Sequence, residues 1–321
     1  MAILLDVQNL STCVKKDGKI FKILDNVSFT IQEGEILGLA GESGCGKSIT
    51  ALSIPNLLPQ EVKITNGKIL YKSQDLASLS EKELNAVRAN EISVIFQDIR
   101  GALNPLIKVG RQITESLESG GKQNDKQTRN KALEVLKSLG FENPEKIFNA
   151  YPHQLSGGMC QRVMTAIALI CKPKLLLGDE PSSSLDKESQ QQCLSLLMEM
   201  NKNNKMSLLI ISHDLSIIRQ FCSRFLIMYA GRIMEEGPSQ SLFSPRHPYT
   251  KALLNAIPDK NKRGKKLENI PGKAPSVEEK TEGCPFSPRC SKAQAVCRKD
   301  FPPAIETDNT KVFCYYPDKD F

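Results

Sequence analysis

An α/β fold built on a largely parallel sheet is the class this sequence predicts, on three observations. Short apolar runs alternate with longer helical stretches: Ile36 to Ala40, Ile92 to Phe96, Leu175 to Gly178, Leu208 to Ser212 and Phe225 to Ala230 read as strands. The runs are β-branched or leucine-rich and lack polar alternation, as strands covered on both faces by crossover helices do. The first run ends in a glycine-rich stretch, Gly41 to Ser48, which opens a further helical pattern.

Composition bounds the rest. A chain of 321 residues suggests roughly two domains at about 150 residues each. Hydrophobic residues make up 40% and charged residues 25%, which excludes a disordered or collagen-like chain. No apolar run approaches the length of about 18 residues that a membrane span needs. The start, Met-Ala-Ile-Leu-Leu-Asp, reaches an acid at its sixth residue and is not a secretory signal. The net charge of +7 is shared between the two parts of the chain, so it marks no nucleic-acid face.

Residues 98 to 150 break the strand–helix rhythm and read as helices around a Gly/Asn/Lys-rich loop at Gly120 to Asp125; a helical insertion is placed at about 98–160. From Pro258 the chain changes again. Lys260 to Lys266 reads as a solvated basic linker, and recurrent prolines predict a loop-rich tail. The expected domains are therefore 1–257 and 258–321.

The stretch Gly41-Glu42-Ser43-Gly44-Cys45-Gly46-Lys47-Ser48 fits G-x-x-x-x-G-K-[ST], between a strand and a helix as that motif requires. Its glycines let backbone N–H groups turn toward phosphate oxygens. Lys47 brings a positive charge to the β- and γ-phosphates, and Ser48 offers a hydroxyl to Mg²⁺. Ile49 continues the motif into the helix. Farther on, Leu175 to Gly178 delivers Asp179 and Glu180 at a strand end, where one acid can hold Mg²⁺ through water and the next can orient and deprotonate an attacking water. Ser156-Gly157-Gly158 opens another helix and makes a second anion site. The first loop already encloses its own phosphates, so this second site faces the nucleotide of another subunit.

Cys284, Cys290, Cys297 and Cys314 stand in a C-x₅-C-x₆-C-x₁₆-C spacing. A chain without a secretory signal has little use for them as disulfides. Four thiolates can hold Zn²⁺ or a [4Fe–4S] cluster, or remain plain thiols. Structural zinc sites usually show C-x₂₋₄-C pairs, which this tail lacks, and its proline- and arginine-containing spacers suit a loop wrapped around a cluster.

The order Gly41–Ser48, Val94-Ile-Phe-Gln97, Leu155-Ser156-Gly157-Gly158, Asp179-Glu180, Leu185-Asp186 and Ile210-Ile-Ser-His213 resembles the ATPases of ABC transporters over about residues 3 to 257. The resemblance implies a P-loop cassette with a RecA-like core sheet and a helical subdomain, ATP and Mg²⁺ as ligands, and ATP hydrolysis coupled to transport. It assigns Gln97 to Mg²⁺ and the attacking water, and His213 to the γ-phosphate. Ser156, Gly157 and Gly158 fall to the partner subunit's γ-phosphate, Asp186 to the dimer interface, and Phe21 to adenine by its spacing alone. Cys160 stands where many relatives carry arginine, Gly178 where alanine is common, and Ser182 to Ser184 replace a threonine-rich run. His153 and His247 lack a motif position and read as structural or surface residues.

His247-Pro-Tyr-Thr, Pro271-Gly272 and the cysteine block resemble the C-terminal extension of the ATPase subunits of oligopeptide and dipeptide importers. That likeness favours the iron–sulfur option. It also implies a second, homologous ATPase subunit, two transmembrane permease subunits and an extracytoplasmic substrate-binding protein, with the chain peripheral on the cytoplasmic face of the cell membrane and no nucleic-acid partner. A nickel or other small-solute importer is the alternative. A soluble ABC ATPase of translation or repair fits less well, because the chain has one cassette and a short insertion.

Overall fold

The computed structural model describes residues 2–118, 125–182, 185–256, 269–279, 282–307 and 309–318. Most of the loop expected around Gly120 to Asp125, the basic run Lys260 to Lys266, and Ser183 and Ser184 lie outside the described residues.

In chain order the strands are β1 (Ile3–Lys16), β2 (Lys19–Gln32), β3 (Ile36–Ala40), β4 (Val62–Tyr71), β5 (Gln74–Asp75), β6 (Ile92–Ile95), β7 (Leu175–Asp179), β8 (Ser207–Ile211), β9 (Arg224–Tyr229), β10 (Arg232–Pro238), β11 (Ala304–Thr307) and β12 (Thr310–Phe313). The α-helices are α1 (Lys47–Ser53), α2 (Glu81–Asn90), α3 (Ile99–Ala102), α4 (Val109–Glu118), α5 (Asp125–Ser138), α6 (Pro144–Asn149), α7 (Gly157–Leu169), α8 (Lys187–Asn204), α9 (Leu215–Phe221), α10 (Pro248–Ala256) and α11 (Ala295–Lys299). The chain divides into two compact units, one of Met1–Ala2, Gln32–Ile36 and Ser78–Ile211, the other of Ile3–Ile31, Leu37–Ala77 and Ser212–Phe321.

In the first unit β6, β7 and β8 pair in parallel, with Ile92 opposite Leu175 and Leu175 opposite Ser207. Every residue of β7 and β8 is buried, which is why both read as unbroken apolar runs. The region expected as a helical insertion holds α3 to α6. Ile113, Ala132, Leu136 and Ile147 are buried there, and α4, α5, α6 and α7 pack together. A Cβ on Gly110 would sit 2.4 Å from the Phe148 ring, so glycine lets α4 approach α6. α2 opens with a full capping box, Ser80 to Glu83.

In the second unit β1 pairs antiparallel with β4, in a sheet of order β2-β1-β4-β5. Asp17 and Gly18 both take positive φ between β1 and β2, the conformation of a tight hairpin turn. β3 pairs in parallel with β9, β9 antiparallel with β10, and β10 antiparallel with β12, which pairs with β11. The tail thus extends the sheet that carries the phosphate loop. β1, β2, β4, β5 and all of β10 to β12 lie outside the strands expected from the sequence. The five expected strands stand within a residue of their observed ends.

Candidate functional site

The glycine-rich loop follows β3, which is wholly buried. Gly41 takes φ +155, and a Cβ there would lie 2.1 Å from the Met228 carbonyl oxygen of β9. Gly46 takes φ +109 immediately before α1. The loop is tied to the β9–β10 turn by the Gly231 N–H, which donates to the Cys45 carbonyl at 2.8 Å. Lys47 is 7% exposed, and its Nζ donates to the carbonyls of Gly41 and Glu42, each at 2.9 Å. An ammonium held by two backbone carbonyls, beside the exposed Ser43 and Gly44, is equipped to meet phosphate oxygens at the same place. Ser48 and Ile49 are half-buried at the start of α1. Burial pushes the Cys45 thiol above its ordinary range, so Cys45 stays a neutral packing residue. A cleft beside Gly44 is lined by Lys22, Ile23, Ala230, Pro275, Ser276 and Glu279. Phe21 is half-buried on β2 and does not line that cleft.

His213, exposed after β8, belongs to the same unit as the loop. The adjoining Asp214 N–H donates to Ser212 Oγ at 3.0 Å, and Asp214 caps α9 by accepting from Ser216 N–H at 2.8 Å.

The other unit carries the acids. Asp179 ends β7 and is buried, 8% exposed. Glu180 follows in the left-handed region at φ +52, with its N–H donating to the Ile211 carbonyl at 3.1 Å. A glutamate there costs about 1–2 kcal/mol, and such outliers gather at functional sites. Gln161, 1% exposed on α7, donates through Nε2 to the Pro181 carbonyl just beyond Glu180. Gln190 Nε2 donates to Ser182 Oγ at 3.3 Å. Gln97 is exposed after β6.

Ser156 caps α7, its Oγ accepting from Met159 N–H at 3.3 Å. Gly157 has open space around it, and a Cβ on Gly158 would meet Leu185 at 3.1 Å. Cys160 Sγ points to the Pro152 carbonyl at 3.5 Å. Asp186 caps α8, and the Ser189 and Glu188 N–H groups that it accepts hold its carboxyl below the usual range. Gly178 packs against Pro181, 3.1 Å from where a Cβ would stand, so alanine fits there only with a small shift. Sequence reading missed Gln161, whose role depends on a partner 20 residues away.

The four late cysteines come together in the tail. Cys284, Cys290, Cys297 and Cys314 line one cavity, with His247, Phe286 and Tyr316. None is disulfide-bonded, nor are the other cysteines. The Cys284 N–H donates to the Cys297 carbonyl at 2.8 Å, and Tyr316 N–H donates to Cys314 Sγ at 3.4 Å. A Cβ on Gly283 would lie 2.3 Å from the Cys297 carbonyl, so glycine permits this approach. Burial, with the neighbouring thiols, pushes Cys284 up to about 12 and Cys314 up to about 11. Convergent soft sulfur donors suit a cluster or a soft metal. Even so, the expected metal group is not closed: among the described residues, no set of three or more His, Cys, Asp or Glu side chains stands close enough to hold a single ion. A tetrahedral zinc with Zn–S of about 2.3 Å draws its sulfurs within about 4 Å of one another, tighter than a cluster of several irons requires.

Among the described residues no helix is long and apolar enough to cross a membrane. Residues 24–183 match the family model described as ABC transporter, and residues 234–297 match that of the oligopeptide/dipeptide transporter C-terminal region. The dipeptide transport ATP-binding protein DppD of Bacillus subtilis is 40% identical over 322 residues, covering 99% of this chain and 96% of that protein. DppD of Escherichia coli is 38% identical, covering 98% and 97%. A dimeric bacterial ABC transporter cassette superposes with a TM-score of 0.67 at 30% identity, over 73% of this chain and 98% of its own. With the phosphate loop, the strand-end acids and the C-terminal region all present, the chain belongs to the ABC transporter family, in the group that carries the oligopeptide/dipeptide transporter C-terminal region.

Proposed function

We propose that this chain is the ATP-hydrolysing subunit of an importer that carries di- and oligopeptides across the cytoplasmic membrane. The observation that carries the reading is the conjunction of a formed phosphate loop, with Lys47 held at its centre, and a C-terminal region of the oligopeptide/dipeptide transporter type in one chain. Lys47 and the loop N–H groups take the phosphates, and the cleft beside Gly44 suits the nucleoside end. Phe21 is left without a supporting contact for adenine. Ser48, Gln97 and Asp179 offer only oxygen donors, which suits Mg²⁺; when bound, that ion neutralises developing charge on the phosphates.

Glu180 orients the attacking water and takes its proton, and His213 contacts the γ-phosphate. Fixed charges at Lys47 stabilise the spreading negative charge without reorganising. Ser156, Gly157 and Gly158 present α7's N-terminus to ATP held by a second ATPase subunit, and Asp186 lies at that interface. Relatives named as ATP-binding proteins of dipeptide transport support a complex with separate membrane-spanning partners; two permease subunits and an extracytoplasmic substrate-binding protein, with this chain peripheral on the cytoplasmic face, complete the proposal. Glu180→Gln in the assembled complex should keep ATP binding and lose at least about 100-fold in hydrolysis. Full turnover in that variant removes Glu180 from the role of base.

The convergence of four cysteines on one cavity supports a [4Fe–4S] cluster held by Cys284, Cys290, Cys297 and Cys314. Loading it must expel their protons. Anaerobic purification of the whole complex should give iron and acid-labile sulfide, about four of each per chain. Zinc without sulfide rejects the cluster. A bound metal chelate in place of peptide rejects the substrate class.

A further inference from the structure

The cysteine-bearing turn reaches the phosphate loop through one side chain. Arg289 stands beside Cys290 at the end of a short 3₁₀ turn, Ser287–Arg289. Its Nη1 donates to Glu42 Oε2 at 2.6 Å and its Nη2 to Glu42 Oε1 at 3.0 Å. Nη1 also donates to Tyr229 Oη at 3.1 Å, and Nε to the Pro271 carbonyl at 2.7 Å. The guanidinium side chain is 6% exposed and Glu42 25%. This is a forked, charge-assisted contact, the strong class of hydrogen bond.

Glu42 is the second residue of the loop, and each of its polar groups is held. Its N–H donates to Tyr249 Oη at 2.9 Å, its carbonyl accepts from Lys47 Nζ, and its carboxylate takes Arg289. Tyr229, Tyr249 and Phe286 pack behind the fork, with ring centroids 4.5 to 5.4 Å apart. An acid within a loop that must receive a triphosphate is a like charge in the wrong place. Coulomb repulsion there opposes binding unless a cation offsets it, and partial burial weakens solvent screening.

We propose that Arg289 is a positioning residue for the nucleotide: it neutralises and pins Glu42, so that the cysteine-bearing tail sets the affinity of the phosphate loop for ATP. The proposal rests on the ATP-binding reading above. Arg289 touches no nucleotide; it acts through Glu42. The chemistry separates two roles. If Arg289 only braced the tail, removing its partner's charge would not repair its loss. If it offsets the charge of Glu42, neutralising Glu42 would.

The test measures the equilibrium affinity of the full-length chain for a fluorescent ATP analogue, with melting temperature recorded alongside. Arg289→Gln is expected to weaken binding about ten-fold, and Glu42→Gln added to it to restore affinity to within about three-fold of the parent. Arg289→Lys keeps the charge without the fork and is expected to stay within about three-fold; it carries the test should Arg289→Gln not fold. Unchanged affinity in Arg289→Gln overturns the proposal. So does a double variant as weak as Arg289→Gln, or a ten-fold loss in Arg289→Lys that Glu42→Gln does not repair. A parent chain that binds no ATP overturns the ATP-binding reading itself, whereas binding by the parent with any of the three results above overturns this inference alone.

Discussion

His247 illustrates how one buried side chain links the tail to solution conditions. It lies wholly buried in front of α10, where its Nδ1 accepts the Tyr249 N–H at 3.0 Å. Burial pushes its pKa down to about 3, so it is neutral in the fold, while in the unfolded chain it titrates near 6.5. Below pH 6.5 only the unfolded chain takes up the proton. The stability present above that pH is therefore lost progressively as pH falls toward 3. His247→Asn keeps an acceptor and removes the titration. Melting temperatures across pH 7 to 4 should fall more steeply for the parent than for the variant, and parallel curves would show that His247 is not the group responsible. The sequence supplied only the negative part of this, that His247 holds no motif position; its burial is a tertiary fact. Arg289 and Tyr249 were illegible for the same reason. Their contacts with Glu42 span 247 and 207 residues, a separation that no local pattern encodes. The strand, glycine-rich loop and helix around Lys47, and the buried strand that ends at Asp179, were legible because their pattern is written in consecutive residues.

Among the elements, legibility followed burial. β3, β7 and β8 are buried at every position and stand out as apolar runs, whereas β1, β2 and β4 mix exposed and buried residues irregularly. In β4 the pair Asn66-Gly67, a composition common in hairpin turns, lies inside the strand. The register slips there opposite Gln8 to Ser11, and Gly67 at φ +96 brings its backbone so near the Gln8 and Asn9 carbonyls that a Cβ would lie 2.5 Å from the first. A bulge and a turn share a glycine signal, and only the pairing partner separates them. α7 was legible from its cap, because Ser156 and the apolar face that follows specify where the helix begins. β10 to β12 are short and carry charges such as Glu235, Glu236, Glu306 and Lys311, so they left no strand pattern.

For the molecule as a whole, sequence order and spatial grouping differ. The sequence divides at about residue 257, while the compact units place Ser212–Phe321 together with the phosphate loop and place Gln97, Asp179 and Glu180 in the other unit. Deleting residues 258–321 should therefore do more than trim a surface. β12 leaves the edge of β10, and Phe286 leaves Tyr229 and Tyr249. An uncovered strand edge invites association. The truncated chain is expected to melt several degrees lower, to aggregate in gel filtration, and to bind ATP more weakly than Arg289→Gln. A truncated chain that is monomeric and equal to the parent in melting and binding would show the tail to be energetically separate.

In the function proposed above, the left-handed backbone at Glu180 sets stability against catalysis at a single residue. Glycine there would relax the chain and discard the carboxylate, giving a sturdier and inert protein, and asparagine would tolerate the conformation at the cost of reach. Glutamine inherits the same backbone tension as glutamate, so a comparison of the two isolates the proton and leaves the fold out of it.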